Sequence, residues 1–212
     1  NMVKNQTHPQ MQRHLPFAVA LVITLIMGLV ITWIDVLQPA EPIFSILSFI
    51  PGLISITALL LSCMSRANLY LRLDKISRQG LLVLIVTTVL LLPILGSSTG
   101  FGGWKWLPAL VFAPASGIAQ EIYFRGSLLP ALEKSVKNKK VIALLLHAMV
   151  FVGYHFRTFR SVPSLPVAML VAVVLFLAGC GWAWQVQRDK TIVWAAAQHS
   201  LFLMTMSMFE WG

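Results

Sequence analysis

Four side chains are of kinds that do chemistry and stand where charge is costly. They are Glu121 and Arg125 within Gln120-Glu121-Ile122-Tyr123-Phe124-Arg125-Gly126, His155 at the end of one apolar run and His199 midway along another. An ionisable side chain inside hydrocarbon costs about 3 kcal/mol on insertion scales, so each needs a partner, a water-filled cavity or a function. A spacing of four puts Glu121 and Arg125 on one helix face, in the order that favours an ion pair. Taken singly, the pair is a structural salt bridge and each imidazole a hydrogen bond between helices. Taken together they form a reactive set, in which a carboxylate or imidazole takes a proton from water while a second imidazole or a guanidinium holds an oxyanion.

The elements that must position these groups are apolar helices. The chain of 212 residues is 58% apolar and 11% charged, with a mean hydropathy of +0.80, whereas a soluble domain is about a quarter charged. Apolar runs at 16–37, 43–63, 80–95, 106–129, 141–156, 165–186 and 191–210 predict an all-α polytopic bundle of about seven spans, folded as one integral membrane domain over 1–212. The runs 80–95 and 141–156 are short for a full crossing, and Pro51, Pro93 and Pro114 are expected to kink their helices.

The net charge of +9 does not point to nucleic acid, because the basic residues fall in short stretches between apolar runs. Lys4, Arg13, Arg66, Arg72, Lys75, Arg78, Lys134, Lys137, Lys139, Lys140, Arg188 and Lys190 fall on one side, against Lys105, Arg157 and Arg160 on the other. The N-terminus is therefore expected inside and the C-terminus outside. The basic stretches 66–79 and 131–140 read as solvated loops, with an anionic leaflet as the alternative. Cys63 and Cys180 lie in apolar segments and are expected as free, buried thiols. Asn1 ahead of Met2 reads as a residue added before a native initiator, and the first run as a retained helix rather than a cleaved signal. Trp104, Trp106 and Trp211 fit interfacial anchors.

The motifs resemble those of the CPBP (Abi) intramembrane proteases, which include the endopeptidases that trim prenylated CAAX proteins and bacterial enzymes of bacteriocin processing and protein sorting. A Glu-Glu-x-x-x-Arg helix matches Gln120 to Arg125, Phe-x-x-x-His matches Phe151 to His155, and a late His is present as His199. The resemblance covers about 106–212. It implies a metal-independent peptidase, without cofactor, in a bacterial inner membrane, cutting a membrane-anchored protein or peptide. It makes Gln120, Glu121, Arg125, His155 and His199 the catalytic positions, with Tyr123 and Phe151 in support. In such an enzyme Glu and His polarise a water, and the other His with a neighbouring polar residue holds the oxyanion.

Two positions depart from the pattern. Gln120 stands where the water-activating Glu is usual, and an amide cannot act as a base. Either Glu121 takes over that role or the chain is an inactive form, as an isosteric Glu-to-Gln replacement would make it. Leu203 stands where an Asn four residues after the late His is usual, and offers no hydrogen bond.

Depth raises a further difficulty. At 1.5 Å per residue, Glu121 and His199 come out roughly 12 Å from the cytoplasmic side and His155 roughly 20 Å. The levels meet if the fourth helix continues past Pro130 and the fifth begins near Leu144. His147 is expected as a hydrogen-bonded structural residue, while His8 and His14 carry no signal. Two other readings stay open. One carboxylate with two His could ligate zinc, although Arg125 disfavours a cation. The chain could instead be a non-catalytic binding or immunity protein, in keeping with Gln120 and Leu203. A transporter is disfavoured by the lack of repeated halves.

Overall fold

The computed structural model describes residues 17–30, 50–65, 70, 72, 78–96, 100–101, 107–137, 139–160 and 164–210. Each of the seven apolar runs contains a helix. These are α1 (Phe17–Val30), α2 (Ile50–Ser65), α3 (Arg78–Gly96), the rod α4, α5 (Lys140–Tyr154), α7 (Leu165–Asp189) and α8 (Val193–Met208), with a short α6 (Phe156–Arg160) between α5 and α7. Besides helices, a two-residue antiparallel ladder pairs β1 (Gly100–Phe101) with β2 (Phe209–Glu210). Among the described residues α7 alone is long and apolar enough to cross a membrane by itself, and α1, part of α2 (Leu53–Cys63) and α5 are shorter apolar helices. Large apolar side chains face outward: Leu82, Leu170 and Leu177 are each more than 60% exposed. A bundle with such a rim requires hydrocarbon or a partner around it.

The rod α4 carries the first motif and is built in four consecutive pieces: Leu107–Phe112, Ala113–Glu121, Ile122–Leu128 and Leu129–Ser135. The first and third are wide π turns, each followed closely by a proline, Pro114 and Pro130. Proline has no N–H to give the carbonyl four residues back, and widening the turn is one way a helix absorbs that loss without breaking. The Gly126 carbonyl, which Pro130 cannot serve, accepts instead from the backbone N–H of Tyr70 at 3.2 Å. Pro114, where a kink was expected, thus marks a change of winding rather than a break. Pro51 behaves otherwise, sitting in the first turn of α2, where a missing N–H costs nothing.

Close packing sets where the helices cross. A Cβ on Gly117 of α4 would stand 3.0 Å from the Ser200 backbone of α8, and one on Gly179 of α7 would stand 3.4 Å from Ala148 of α5. Small residues at a crossing let backbones approach, which is how helices associate where hydrophobicity cannot drive them together. Around these crossings Tyr123, Phe124, Leu128, Leu129 and Phe151 form a fully buried core.

Three expectations need correcting here. Cys63 is exposed on α2 and Cys180 is half-buried on α7, both free, because the apolar faces that carry them point out of the bundle rather than into it. The stretch 131–140 is not all solvated loop, since Ala131, Leu132 and Ser135 are buried in the last turns of α4. The fifth helix begins at Lys140, ahead of Leu144. Asn1, Met2, His8, His14, Trp104, Trp106 and Trp211 lie outside the described residues.

Candidate functional site

Glu121 ends the second piece of α4, and Arg125 lies in the π turn that follows. Both side chains have 0% exposure, and Arg125 Nη1 donates to Glu121 Oε1 at 2.7 Å. His199, on α8, meets the same oxygen through Nδ1 at 2.8 Å. A carboxylate oxygen only accepts, so Nδ1 carries the proton and Nε2 is the nitrogen left for other partners. Gly117 lies one turn before Glu121, and Ser200 follows His199; the backbone approach between them brings this imidazole to this carboxylate.

Burying a guanidinium is costly even when it is paired. The offset comes from aromatic faces as well as from Glu121: the Arg125 guanidinium carbon lies 3.9 Å from the Phe151 ring centroid and 5.1 Å from that of Trp182. Trp182 in turn stacks on His199 with centroids 5.1 Å apart and donates its indole N–H to Gln198 Oε1 at 2.6 Å. Phe151 therefore sits at the middle of the cluster, beside Arg125, His199 and His155.

His155 is held differently. It caps the end of α5, where its Nδ1 donates to the Phe151 carbonyl at 2.8 Å, a bond within one turn that again leaves Nε2 for other partners. It lies within electrostatic reach of Glu121, Arg125 and His199. The depth problem is resolved by α4 alone. The rod runs on to Ser135, so Glu121 and His155 each lie roughly 21 Å along their helices from the α4–α5 turn.

The depth of His199 is set by Tyr70. Its backbone donates to Gly126 O of α4 and accepts from Ile192 N–H at 2.9 Å, just ahead of α8, so α8 starts level with Gly126 rather than at the surface. The Tyr70 hydroxyl donates to Glu133 Oε2 at 2.5 Å and accepts from Lys190 Nζ at 3.2 Å. Burial first, then Glu133, pushes this phenol well above its ordinary range and keeps it protonated.

Gln120 has 8% exposure, and its Nε2 donates to Ser116 Oγ at 3.1 Å. Tyr123 turns away from the carboxylate, bonding Thr24 Oγ1 at 2.8 Å and the Ala20 carbonyl at 3.0 Å on α1. His147 is fully buried and parallel to Phe151, with the Phe124 backbone as a polar neighbour, and neither ring nitrogen makes a well-formed hydrogen bond among the described residues. The Phe151 and Phe124 rings pack against its imidazole. Sequence reasoning passed over Tyr70, Trp182 and Gln198. Gln198, a polar amide in an apolar span, was the available signal.

Several buried polar atoms of the cluster have no hydrogen-bond partner among the described residues: Glu121 Oε2, Gln120 Oε1, and Arg125 Nε and Nη2. Such atoms gathered in one place suit a buried water or the carbonyl of a bound chain.

Residues 102–205 match the family described as type II CAAX prenyl endopeptidase Rce1-like, a stretch that runs from just before α4 into α8 and contains the whole cluster. No curated protein and no solved structure matches the chain.

Proposed function

Residues 102–205 belong to the type II CAAX prenyl endopeptidase Rce1-like family, and from that premise we propose that the chain is an intramembrane endopeptidase scaffold for a membrane-anchored substrate, arrested by Gln120. The family is one of peptide hydrolases resident in membranes. The observation that carries the reading to this site is the set of unsatisfied polar atoms on Gln120, Glu121 and Arg125, buried beside two imidazoles that both keep Nε2 for other partners.

In the active form a carboxylate at position 120 takes a proton from water, and the resulting hydroxide attacks the scissile carbonyl carbon. His155 orients that water by accepting from it through Nε2, while His199 steadies the oxyanion by donating from Nε2, a role in which its ring carries a proton on both nitrogens. Trp182 and Gln198 supply the polar surroundings that Leu203 does not. The C–N bond then breaks, and the proton held by the carboxylate passes to the leaving amine. Glu121 is assigned a positioning role, because its Oε1 is shared between Arg125 and His199. A glutamine at 120 can orient the water but cannot take its proton. The Arg125 guanidinium, 2.7 Å from Glu121, puts positive charge where a zinc ion would need a ligand, which speaks against the metal-dependent variant.

The bundle is proposed to span the membrane about seven times, N-terminus in and C-terminus out, in a bacterial inner membrane; reporter fusions at each connection test this orientation. Cleavage of a membrane-anchored peptide by this chain, by Gln120→Glu and by Gln120→Glu carrying His155→Ala tests the chemistry. Cutting by Gln120→Glu alone is expected. Cutting by the unaltered chain would make Glu121 or an imidazole the base. Inertness of all three would favour a binding protein, the reading that Gln120 and Leu203 also suit.

A further inference from the structure

A cleft of about 270 Å³ opens between α3, α7 and α8, and its lining does not include Gln120, Glu121 or Arg125. It is lined by Val83, Ala178, Gly181 and Trp184 together with Gln185 and Arg188. Apart from Gln185, Arg188 and Gln198, its lining is apolar or aromatic. Gln185 is 4% exposed; its Oε1 accepts from Gln198 at 3.5 Å, and its buried Nε2 has no hydrogen-bond partner among the described residues. An unspent amide donor buried against an apolar cleft is costly unless something there accepts from it.

The order of these groups along α7 describes what would fit. Arg188 lies in the last turn of the helix; its Nε and Nη2 are bonded to Asp189 at 2.6 and 2.8 Å, leaving Nη1 available among the described residues, and its guanidinium lies over the Trp184 ring at 4.9 Å. Gln185 comes roughly 4.5 Å deeper, Gly181 roughly 10 Å and Ala178 roughly 15 Å. Phosphate, then ester carbonyl, then acyl chain is the order of a glycerophospholipid entering from the same end of the helix. The half-exposed Trp184 stands where aromatic side chains sit at a membrane interface.

We propose that this cleft binds one glycerophospholipid, with its phosphodiester at Arg188, an ester carbonyl on Gln185 Nε2 and an acyl chain along Gly181 and Ala178. This rests on α7 crossing the bilayer. The bound lipid lies behind Trp182 and Gln198, which also line the cleft and lead directly to His199. Occupancy therefore supports the imidazole that the proposed reaction uses.

The full chain, purified from membranes in mild detergent and supplied with phosphatidylcholine, is compared with Gly181→Trp and Gln185→Leu by native mass spectrometry of retained phospholipid. A Cβ on Gly181 would meet no atom within 4 Å, so the side chain of the first variant starts into open space at the cleft rather than against a neighbouring helix. One retained phospholipid is expected for the unaltered chain, a tenfold or greater loss for Gly181→Trp and a severalfold loss for Gln185→Leu, with unchanged thermal unfolding in lipid-free detergent. Equal retention by all three, or none by the unaltered chain, overturns the site. Displacement by a phosphate-free long-chain alcohol as effective as that by phospholipid also overturns it, since the cleft would then read the apolar chain alone. Carbonate extraction tests the membrane reading separately: release of the chain from membranes would sink that reading, whereas retention with no bound lipid sinks only the cleft assignment.

Discussion

His199 and His155 are both histidines with Nδ1 committed and Nε2 kept for other partners, yet the molecule secures them by opposite means. His199 is held by the tertiary structure: its Glu121 partner lies 78 positions away in sequence, and the two meet because Gly117 admits α8 and Tyr70 sets the level at which α8 begins. His155 is held by its own turn, through the Phe151 carbonyl four residues back. A locally held group survives changes elsewhere in the bundle. A group held over a long range is only as well placed as the packing between helices, and the two should part company when that packing is disturbed.

The largest effect is expected from Glu121→Leu. It leaves Arg125 buried without its counter-charge and His199 without its acceptor, at about 3–5 kcal/mol for breaking a buried pair. Thermal or denaturant unfolding in detergent should show this loss, and Arg125→Leu alone should cost a comparable amount. A double variant that costs the sum of the two singles would mean that the pair is not the coupled unit described here.

Gly117→Val comes next, because its side chain must displace the Ser200 backbone. Overpacking of this kind costs about 1–3 kcal/mol and should move His199 off Glu121 while leaving His155 in place. Introduced into the Gln120→Glu form, it should lower kcat far more than it raises KM. Unchanged kcat would show that the α4–α8 approach does not position the imidazole.

Tyr70→Phe keeps the ring and both backbone bonds but removes the hydroxyl between Glu133 and Lys190. A loss of about 1 kcal/mol is expected, together with a partial fall in kcat of the Gln120→Glu form. The smallest effect on stability belongs to His155→Ala, whose lost bond is local and half-buried. Unfolding should shift by less than about 1 kcal/mol while cleavage by the Gln120→Glu form is abolished, so that activity is lost without the loss of stability expected of Gly117→Val.

Much of this was legible before any coordinates. Apolar runs separated by polar connections give helices, and Glu121 with Arg125 four residues on gives the ion pair, because both are short-range consequences of helix geometry and hydropathy. The continuation of α4 past Pro130 was legible too, since the depths of Glu121 and His155 could not otherwise agree. Cys63 was misjudged for a reason particular to this kind of protein. In a bundle rimmed with leucine, apolar neighbours do not say whether a residue faces the core or the surroundings.

The sequence by itself determined the helices, the Glu121–Arg125 pair and the set of reactive side chains, because each depends on neighbours within about one turn. Only the tertiary structure decided that His199 would take the same carboxylate oxygen as Arg125, that Tyr70 would fill the carbonyl that Pro130 leaves unserved, and that Tyr123 would turn to α1. Those outcomes depend on where one helix crosses another, and that is set by the fit of small side chains against distant backbone, which no local pattern encodes.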